Sequence, residues 1–315
     1  MTSKMELLQE VEQLSKQHGP WAFDIPLPHD VWTKGNLQIP QTRLRRILQI
    51  VGDLSLKPLG ELRVLDLGCL DGIFSIEFAQ HGARAVGIEV REANLAKARF
   101  CQRVLGLQNL EFHLGDARNI SAEKYGRFDA IICSGLLYHL EATDGVKLLS
   151  TMHSMTDRMV VIDTHIALAA AEKVTVDGVD YWGSFFREHA EEATAAEKSR
   201  NLWASPDNTT SFWFTRPSLV NALQRTGFSS VYECFMPAHM NFGKSGVEHH
   251  DRCTFVAIKG EQHQITTSPI ANALRETWPE ASLAYTPPGR PITSPDSRPL
   301  WRIAASRFKR WLQRV

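Results

Sequence analysis

Three acidic residues follow apolar runs at spacings that suit a nucleotide-like ligand. Asp66 ends the first run, and Gly68 and Gly72 follow it. Glycine puts no Cβ in the way of a ligand, and a helix that begins there points free N–H groups at it. Glu89, 21 residues after Gly68, can accept both hydroxyl protons of a ribose. Asp116 ends a third run and can accept the exocyclic amine of an adenine.

Each of these carboxylates also has a plainer explanation. An Asp at the end of a strand often caps a helix or forms a turn. Three acids at three predicted strand ends favour a ligand site over three separate caps. Leu70 replaces the second glycine of the G-x-G-x-x-G pattern, which disfavours a nicotinamide-dependent dehydrogenase.

The elements that must position these residues alternate between strand and helix, which is typical of a parallel sheet covered on both faces. We predict an α/β fold with a Rossmann-like, seven-stranded, mostly parallel sheet, N-terminal helices, an insertion after strand five and a C-terminal extension. The predicted strands are 63–67, 84–89, 110–114, 128–133, 158–163, 229–235 and 252–258. The predicted helices are 5–17, one that follows Pro40, 72–81, 92–105, 143–155 and 216–226.

The same patterns divide the chain into domains. Residues 1–58 form a helical and aromatic N-terminal segment, and residues 59–260 form the main domain, with a substrate insertion at 164–212. Residues 261–300 are a Pro-rich arm. Residues 301–315 form a basic amphipathic helix with five positive and no negative side chains. Such a helix can contact a membrane surface, an acidic partner, its own domain or a sister subunit.

Composition narrows the classes of function and location. Lys and Arg total 35, as do Asp and Glu, so no overall field attracts nucleic acid or membrane. The five cysteines show neither C-x-x-C nor metal-ligand spacing, which indicates reduced, buried thiols and no metal site. No signal core and no apolar run of ~18 residues is present, so we expect a cytoplasmic protein without a transmembrane segment.

The segment Asp66-Leu-Gly-Cys-Leu-Asp-Gly72, with Glu89 and Asp116, resembles the class I S-adenosylmethionine-dependent methyltransferases over roughly residues 60–260. The resemblance implies that fold, S-adenosylmethionine as cofactor, and an Asp66 that orients the methionyl ammonium directly or through water. Leu70 departs from the glycine of many members. The implied cofactor-binding residues are Asp66, Gly68, Cys69, Leu70, Glu89, Asp116, Ala117, Ser134 and Trp32.

The segment Cys133-Ser-Gly-Leu-Leu-Tyr-His-Leu140 resembles the transfer-RNA wobble uridine carboxymethyltransferases and related bacterial methyltransferases. In the carboxymethyltransferases a tyrosine, an arginine and a lysine hold the extra carboxylate of carboxy-S-adenosylmethionine. Tyr138 and Arg252 match the first two, but the lysine belongs to a basic stretch after a Trp, and here Trp21 is followed by Ala22 and Phe23. The resemblance therefore favours ordinary methyl transfer and keeps carboxymethyl transfer as the alternative.

Methyl transfer is an in-line displacement that depends mainly on positioning, and a base is needed only if the acceptor loses a proton. His139 is the candidate base, with a cap on the next helix as its alternative role, and Tyr138 lines the pocket. The aromatic stretch 181–189 suits a lid over the acceptor, or an amphipathic helix packed on the sheet. The predicted catalytic residues are His139 and Tyr138, and the predicted substrate residues are Tyr138, Asp163, His165, Tyr181, Trp182, Arg187, Trp213 and Arg252.

Three functions remain open on the sequence. The first is methyl transfer to an O or N atom of a small molecule or biosynthetic intermediate. The second is carboxymethyl or methyl transfer to tRNA, which the zero net charge does not favour. The third is a scaffold that binds the cofactor without catalysis.

Overall fold

A computed structural model describes residues 3–34, 41–235 and 251–263, and it begins with two helices that flank a short hairpin. The first helix starts at a capping box in which Ser3 and Glu6 satisfy each other's backbone N–H groups. Both predicted N-terminal helices are confirmed, and the hairpin lies in a stretch that we predicted to be irregular. These elements are α1 (Lys4–His18), β1 (Pro26–Leu27), β2 (Val31–Trp32) and α2 (Gln41–Leu54).

The alternation of strands and helices that the sequence predicts follows, with end points shifted by no more than two residues. Its elements are β3 (Arg63–Leu67), α3 (Ile73–Gln80), β4 (Arg84–Glu89), α4 (Glu92–Leu105), β5 (Leu110–Leu114), α5 (Ala122–Tyr125), β6 (Phe128–Ser134), α6 (Ala142–Met155) and β7 (Thr156–His165). After an insertion, the domain closes with α8 (Arg216–Arg225), β11 (Ser230–Cys234) and β12 (Arg252–Ile258).

Seven strands form the central sheet in the order β11-β12-β7-β6-β3-β4-β5. β12 runs antiparallel to β7 and β11, and the remaining pairs are parallel. The chain moves from β3 outward to β5 and then returns to the other side of β3 for β6. Such a reversal opens a crevice at the carboxyl ends of the strands, where ligands bind in α/β sheets.

The insertion after β7 is a second, antiparallel sheet, with strand order β10-β9-β8. Its alternative interpretation as an amphipathic helix over 181–189 is wrong. Asp177 and Gly178 both have positive φ (50° and 79°) and form the two-residue loop that joins Val176 to Val179. Because this turn joins two antiparallel strands, the aromatic stretch forms the second strand of a hairpin. The insertion contains β8 (Glu172–Val176), β9 (Val179–Arg187), α7 (Ala195–Arg200) and β10 (Thr210–Phe214).

A buried carboxylate docks the N-terminal segment onto the turn after β3. Asp71 Oδ2 accepts hydrogen bonds from the backbone N–H groups of Ala22 (2.6 Å) and Phe23 (3.3 Å). Lys97 Nζ donates to the carbonyl of Pro20 at 2.7 Å from the same side. Burial raises the pKa of Asp71, and the Lys97 ammonium and the backbone donors offset part of that cost. The contact brings Phe23 to the edge of the crevice.

Two predicted regions lie outside the described residues: the Pro-rich arm beyond residue 263 and the basic helix at 301–315. All five cysteines are described and free; Cys234 is half-buried and the other four are buried. Among the described helices, none combines the length and apolar character that crossing a membrane requires.

Candidate active site

A cavity of about 390 Å³ opens at the carboxyl ends of the parallel strands. Its motif half is formed by the turns that follow β3, β4 and β5. Its histidine half is formed by the turn after β6, the ends of β7 and β12, and Arg43 of α2. The segment 202–207 of the insertion completes the wall. This volume falls in the range of small-molecule sites.

The turn after β3 carries an unusual backbone conformation at Leu70. Its φ is +50°, a left-handed value that L-residues other than Asn and Asp rarely adopt. In this conformation the Leu70 N–H donates to Glu89 Oε2 at 3.1 Å. Gly72 also has a positive φ, and a Cβ there would lie 2.6 Å from the Phe112 ring. Gly72 is therefore required by packing, whereas Gly68 and Leu70 line the cavity.

Glu89 is 3% exposed, and its carboxylate lines the cavity. Oε1 accepts from the backbone N–H of Arg91 (3.0 Å) and from Asn94 Nδ2 (3.3 Å). Together with the Leu70 N–H, which donates to Oε2, these donors occupy three of the about four acceptor positions of a carboxylate. An acceptor position on Oε2 remains for a ligand in the cavity.

Asp116 also lines the cavity, and it caps a turn as its plainer explanation supposed. Oδ1 accepts from the backbone N–H of Arg118 at 2.8 Å. The Arg118 guanidinium then pairs with the same carboxylate, Nη2 to Oδ2, at 2.5 Å. Arg118 also pairs with Asp207 of the insertion and lies 3.6 Å from Asp144. The hydrogen bonds that Arg118 donates to Asp116 and Asp207 raise the pKa of Arg118.

Two of the predicted cofactor residues do not line the cavity. Asp66 is 2% exposed, and its Oδ2 accepts from the backbone N–H (3.1 Å) and hydroxyl (2.7 Å) of Ser75. Burial raises the pKa of Asp66 to about 7. Trp32 lies in the N-terminal hairpin with 42% of its surface exposed. The predicted residues that do line the cavity are Gly68, Cys69, Leu70, Glu89, Asp116, Ala117 and Ser134.

In the histidine half, His139 lines the cavity and contacts a carboxylate of the insertion that the sequence did not suggest. His139 Nδ1 lies 2.9 Å from Glu188 Oε2. Burial alone raises the pKa of Glu188, but hydrogen bonds from His139, Ser211 and Ser205 bring it below its ordinary value. An ionised carboxylate only accepts, so Nδ1 carries the proton and the neutral ring keeps a lone pair on Nε2.

The alternative role of His139, a cap on the following helix, is wrong. That helix begins after Glu141, and no side chain accepts from its first N–H groups. The ring is instead held by Glu188, which receives 2.7 Å and 3.0 Å hydrogen bonds from Ser211 Oγ and the Ser205 N–H. A carboxylate–histidine pair of this kind fixes the ring's tautomer and orientation.

Two arginines of the cavity wall share one buried carboxylate. Asp163, a predicted substrate residue, is fully buried and does not line the cavity. Its Oδ1 accepts from Arg252 Nε (2.6 Å) and Nη2 (2.5 Å), and its Oδ2 lies 3.8 Å from Arg43 Nε. Burial raises the pKa of Asp163, and the two guanidiniums lower it by more. Two cations on one anion leave this part of the wall positive.

Arg43 is the cavity residue that sequence analysis missed most completely. It lies on the polar side of an amphipathic helix, about 120 residues from Asp163, where no motif marks it. Its Nε is buried and has no hydrogen-bond partner among the described residues. Arg252 Cζ lies 5.0 Å from the centroid of the Tyr138 ring, so Tyr138 and both arginines form one polar wall.

The Trp213 ring supports two predicted residues at the centre of the histidine half, Tyr138 and His165. Trp213 stacks on His165 with ring centroids 4.7 Å apart, and its Nε1 donates to the Tyr138 carbonyl at 3.0 Å. His165 Nδ1 lies 2.8 Å from Asp251 Oδ2. Burial lowers the pKa of His165. Trp213 does not line the cavity; it holds two residues, Tyr138 and His165, that do.

Three further predicted substrate residues, all on β9, do not line the cavity. Tyr181 is 4% exposed and packs edge-on against Phe214. The backbone N–H of Trp182 donates to Ser218 Oγ at 2.8 Å, and Arg187 is exposed and pairs with Glu191. The insertion reaches the cavity through a different part, the segment 202–207.

Comparison with protein families matches residues 39–233 to the family described as "Methyltransferase domain". The match spans more than half of the chain, which therefore belongs to this family. Two similar curated proteins are the ubiquinone biosynthesis O-methyltransferases of Leptothrix cholodnii and Acinetobacter baumannii strain AYE. They are 35% and 32% identical over 103 residues, which is 33% of this chain and 42% and 41% of theirs. The chain thus spans about two-fifths of the length of these relatives.

A solved structure shares the fold. The N-terminal domain of EvdMO1, crystallised with SAH bound, superposes with a TM-score of 0.63 at 23% sequence identity. The alignment covers 82% of this chain and 98% of that domain. The predicted class I methyltransferase fold is confirmed.

Proposed function

We propose that the protein is an S-adenosylmethionine-dependent methyltransferase that methylates an oxygen or nitrogen atom of a small molecule. The observation that carries this proposal is Glu89, a buried carboxylate that joins the Leu70 turn and keeps an acceptor site toward the cavity. Membership of the methyltransferase family and the O-methyltransferase names of its relatives support the same reaction.

The residues of the motif half fit an adenosyl cofactor. Glu89 Oε2 would accept a ribose hydroxyl, and Asp116 with the Ala117 N–H would face the adenine edge. Gly68 and Leu70 would face the methionyl portion, with buried Asp66 acting through water on its ammonium. When bound, S-adenosylmethionine supplies a methyl group activated by a sulfonium.

The histidine half fits an acceptor that loses a proton. Glu188 holds Nδ1–H of His139, so Nε2 is the atom that can take a proton from an acceptor hydroxyl or amine. The Glu188 carboxylate would stabilise the imidazolium that forms. Tyr138, Arg252 and Arg43 offer donors that can hold a polar group of the acceptor in line with the methyl group.

Carboxymethyl transfer from carboxy-S-adenosylmethionine is the second candidate, and Arg43 favours it. Tyr138 and Arg252 match two of the three carboxylate-holding residues of the carboxymethyltransferases, and both line the cavity. The matching lysine is missing from the sequence, but Arg43 adds a guanidinium to the same wall. A tRNA acceptor belongs to this candidate, as the resemblance of residues 133–140 implies.

We also propose the domain limits and surroundings that the sequence predicts. Residues 59–260 would carry the reaction in the cytoplasm, with residues 1–58 closing the cavity from one side. The arm at 261–300 and the helix at 301–315 would serve contacts with a membrane surface, an acidic partner or a sister subunit.

Titration calorimetry and isotope transfer test the proposed function. Wild-type protein is titrated with S-adenosylmethionine and with its carboxylated analogue, and Arg43→Leu is compared with the surface control Arg99→Leu. Tighter binding of S-adenosylmethionine supports methyl transfer; tighter binding of the analogue, lost in Arg43→Leu, supports carboxymethyl transfer.

The acceptor is sought in a second assay. The protein, deuteromethyl-labelled S-adenosylmethionine and a panel of phenols, catechols and bulk tRNA are incubated, and the labelled product is identified by mass spectrometry. Binding without any labelled product across the panel and a cell extract favours the scaffold. Failure to bind either cofactor contradicts all three functions.

A further inference from the structure

One segment of the insertion reaches back over the motif half of the cavity. Residues 202–207 line the same cavity as Glu89 and Asp116, although they lie more than 85 positions later in the chain. Trp203 belongs to this wall and is 44% exposed, so its ring lies at the rim of the cavity. We refer to residues 199–207 as the cover.

Arg91 ties the cover to the proposed ribose-binding residue. Its guanidinium donates to three backbone carbonyls of the cover, those of Ser199, Asn201 and Ala204, each at 2.9 Å. Its own backbone N–H donates to Glu89 Oε1 at 3.0 Å. The planar guanidinium suits three carbonyls in fixed directions, so one residue links the cover to the ribose-binding position.

Arg118 ties the cover to the proposed adenine-binding residue in the same way. It pairs with Asp116 through Nε and Nη2 and with Asp207 of the cover through Nη2. Asp207 is half-exposed, so this pair is weak enough to open and close. Both ties therefore originate two residues after a proposed cofactor ligand.

A third tie connects the cover to the histidine half. The backbone N–H of Ser205 donates to Glu188 Oε2 at 3.0 Å, and His139 Nδ1 lies 2.9 Å from that same oxygen. Ser205 is 1% exposed, so the middle of the cover is packed in place while Trp203 remains at the rim.

We propose that residues 199–207 close over the bound cofactor and that the Trp203 ring contacts its adenosyl group. The inference rests on the proposed function and extends it, because it assigns part of the insertion to the donor rather than to the acceptor. Closure buries the half-exposed ring against the adenosyl group, and Glu188 transmits the closed position of the cover to His139. A stacked ring slows release of a ligand more than it speeds capture.

Release of S-adenosylhomocysteine tests this proposal with a defined probe. Stopped-flow measurements give its dissociation rate from the full-length protein and from Trp203→Ala, Trp203→Phe, Asp207→Asn and Asp180→Asn. Asp180 pairs with Lys173 on the exposed side of the same insertion and serves as the charge-matched control. We expect release to be about tenfold faster in Trp203→Ala, about threefold faster in Asp207→Asn, and unchanged in Asp180→Asn. Trp203→Phe should recover most of the wild-type rate.

Hydrogen exchange supplies a readout that does not depend on any variant. In the wild-type protein, S-adenosylhomocysteine should slow the exchange of amides in 199–207 as well as in 68–72. Protection of 68–72 without protection of 199–207, or equal release rates in Trp203→Ala and Asp180→Asn, overturns the cover and leaves the proposed function intact. Absence of any binding to the wild-type protein contradicts the proposed function and the cover together.

Discussion

The two halves of the cavity are assembled in different ways. Apart from the segment 202–207, the motif half takes its wall mainly from three turns at strand ends, which backbone hydrogen bonds to Glu89 and Asp116 position. The histidine half is held by contacts between residues far apart in the chain, such as Arg43 with Asp163 and His139 with Glu188. A locally built half is suited to one unchanging ligand. A half built from distant elements can change its ligand when an insertion or a helix changes.

The largest expected effect concerns the motif half alone. Glu89→Gln replaces the charge-assisted hydrogen bond that Oε2 can accept from the ribose with a neutral one, so the Kd for S-adenosylhomocysteine should rise about 30-fold. Titration calorimetry measures it, with circular dichroism to verify folding. Glu92→Gln, which alters an exposed carboxylate paired with Arg99, is the control and should bind as the wild type does. A rise below threefold in the folded Glu89→Gln protein would mean that the ribose lies elsewhere.

The second prediction concerns the pH dependence of the unfolding free energy, which reports the burial of the Asp66 carboxylate behind the motif half. The pKa of Asp66 is about 7 in the folded protein and near 3.8 in the unfolded chain. The folded state therefore holds this proton more tightly, and its contribution to stability is complete below pH 3.8 and is lost as the pH rises through 7. Between pH 5 and pH 8 the wild type should lose about 2 kcal/mol of unfolding free energy relative to Asp66→Asn.

Urea unfolding of unliganded wild type and Asp66→Asn at the two pH values gives this difference. Asn retains an oxygen for the Ser75 donors, so the comparison isolates the charge. If both proteins lose the same stability between pH 5 and pH 8, the carboxylate is ionised and solvated throughout that range.

The third prediction concerns the histidine half alone. Glu188→Gln keeps an oxygen for the Ser205 N–H but loses the charge that orients and stabilises protonated His139. We expect kcat to fall about tenfold on the acceptor found by isotope transfer, while the Kd for S-adenosylhomocysteine changes less than twofold. Glu191→Gln, an exposed neighbour paired with Arg187, is the matched control. An unchanged kcat would assign Glu188 a structural role only.

The smallest expected effect is at Leu70, where the motif departs from glycine. Leu70→Gly relieves the left-handed backbone, loses some packing and adds freedom to the unfolded chain, so unfolding free energy should change by less than about 1 kcal/mol. Leu56 has a φ of +63° and is 80% exposed, so Leu56→Gly separates backbone strain from packing. Leu56→Gly should unfold at a higher temperature than Leu70→Gly. Loss of cofactor binding in Leu70→Gly would show that the side chain itself shapes the turn.

The sequence predicts the fold and the motif half well because both depend on short-range patterns. The apolar runs predict the ends of β4 and β5 correctly. Glu89 and Asp116 therefore lie within two residues of these strand ends, as the sequence predicts. The hairpin of the insertion also has a local signal, because Asp177-Gly178 is typical of a two-residue hairpin turn. Arg43, Glu188 and Trp203 carry no local pattern, and only the tertiary fold brings them to the cavity. Spacing in the sequence does not report side-chain direction, and neither Asp66 nor Trp213 lines the cavity.

A crystal structure of the full chain with S-adenosylhomocysteine tests the central claim most directly. The account predicts one molecule in the cavity, with its ribose hydroxyls within hydrogen-bond distance of Glu89 and its adenine beside Asp116 and Ala117. A molecule bound elsewhere, or one in the cavity whose ribose does not contact Glu89, would contradict it.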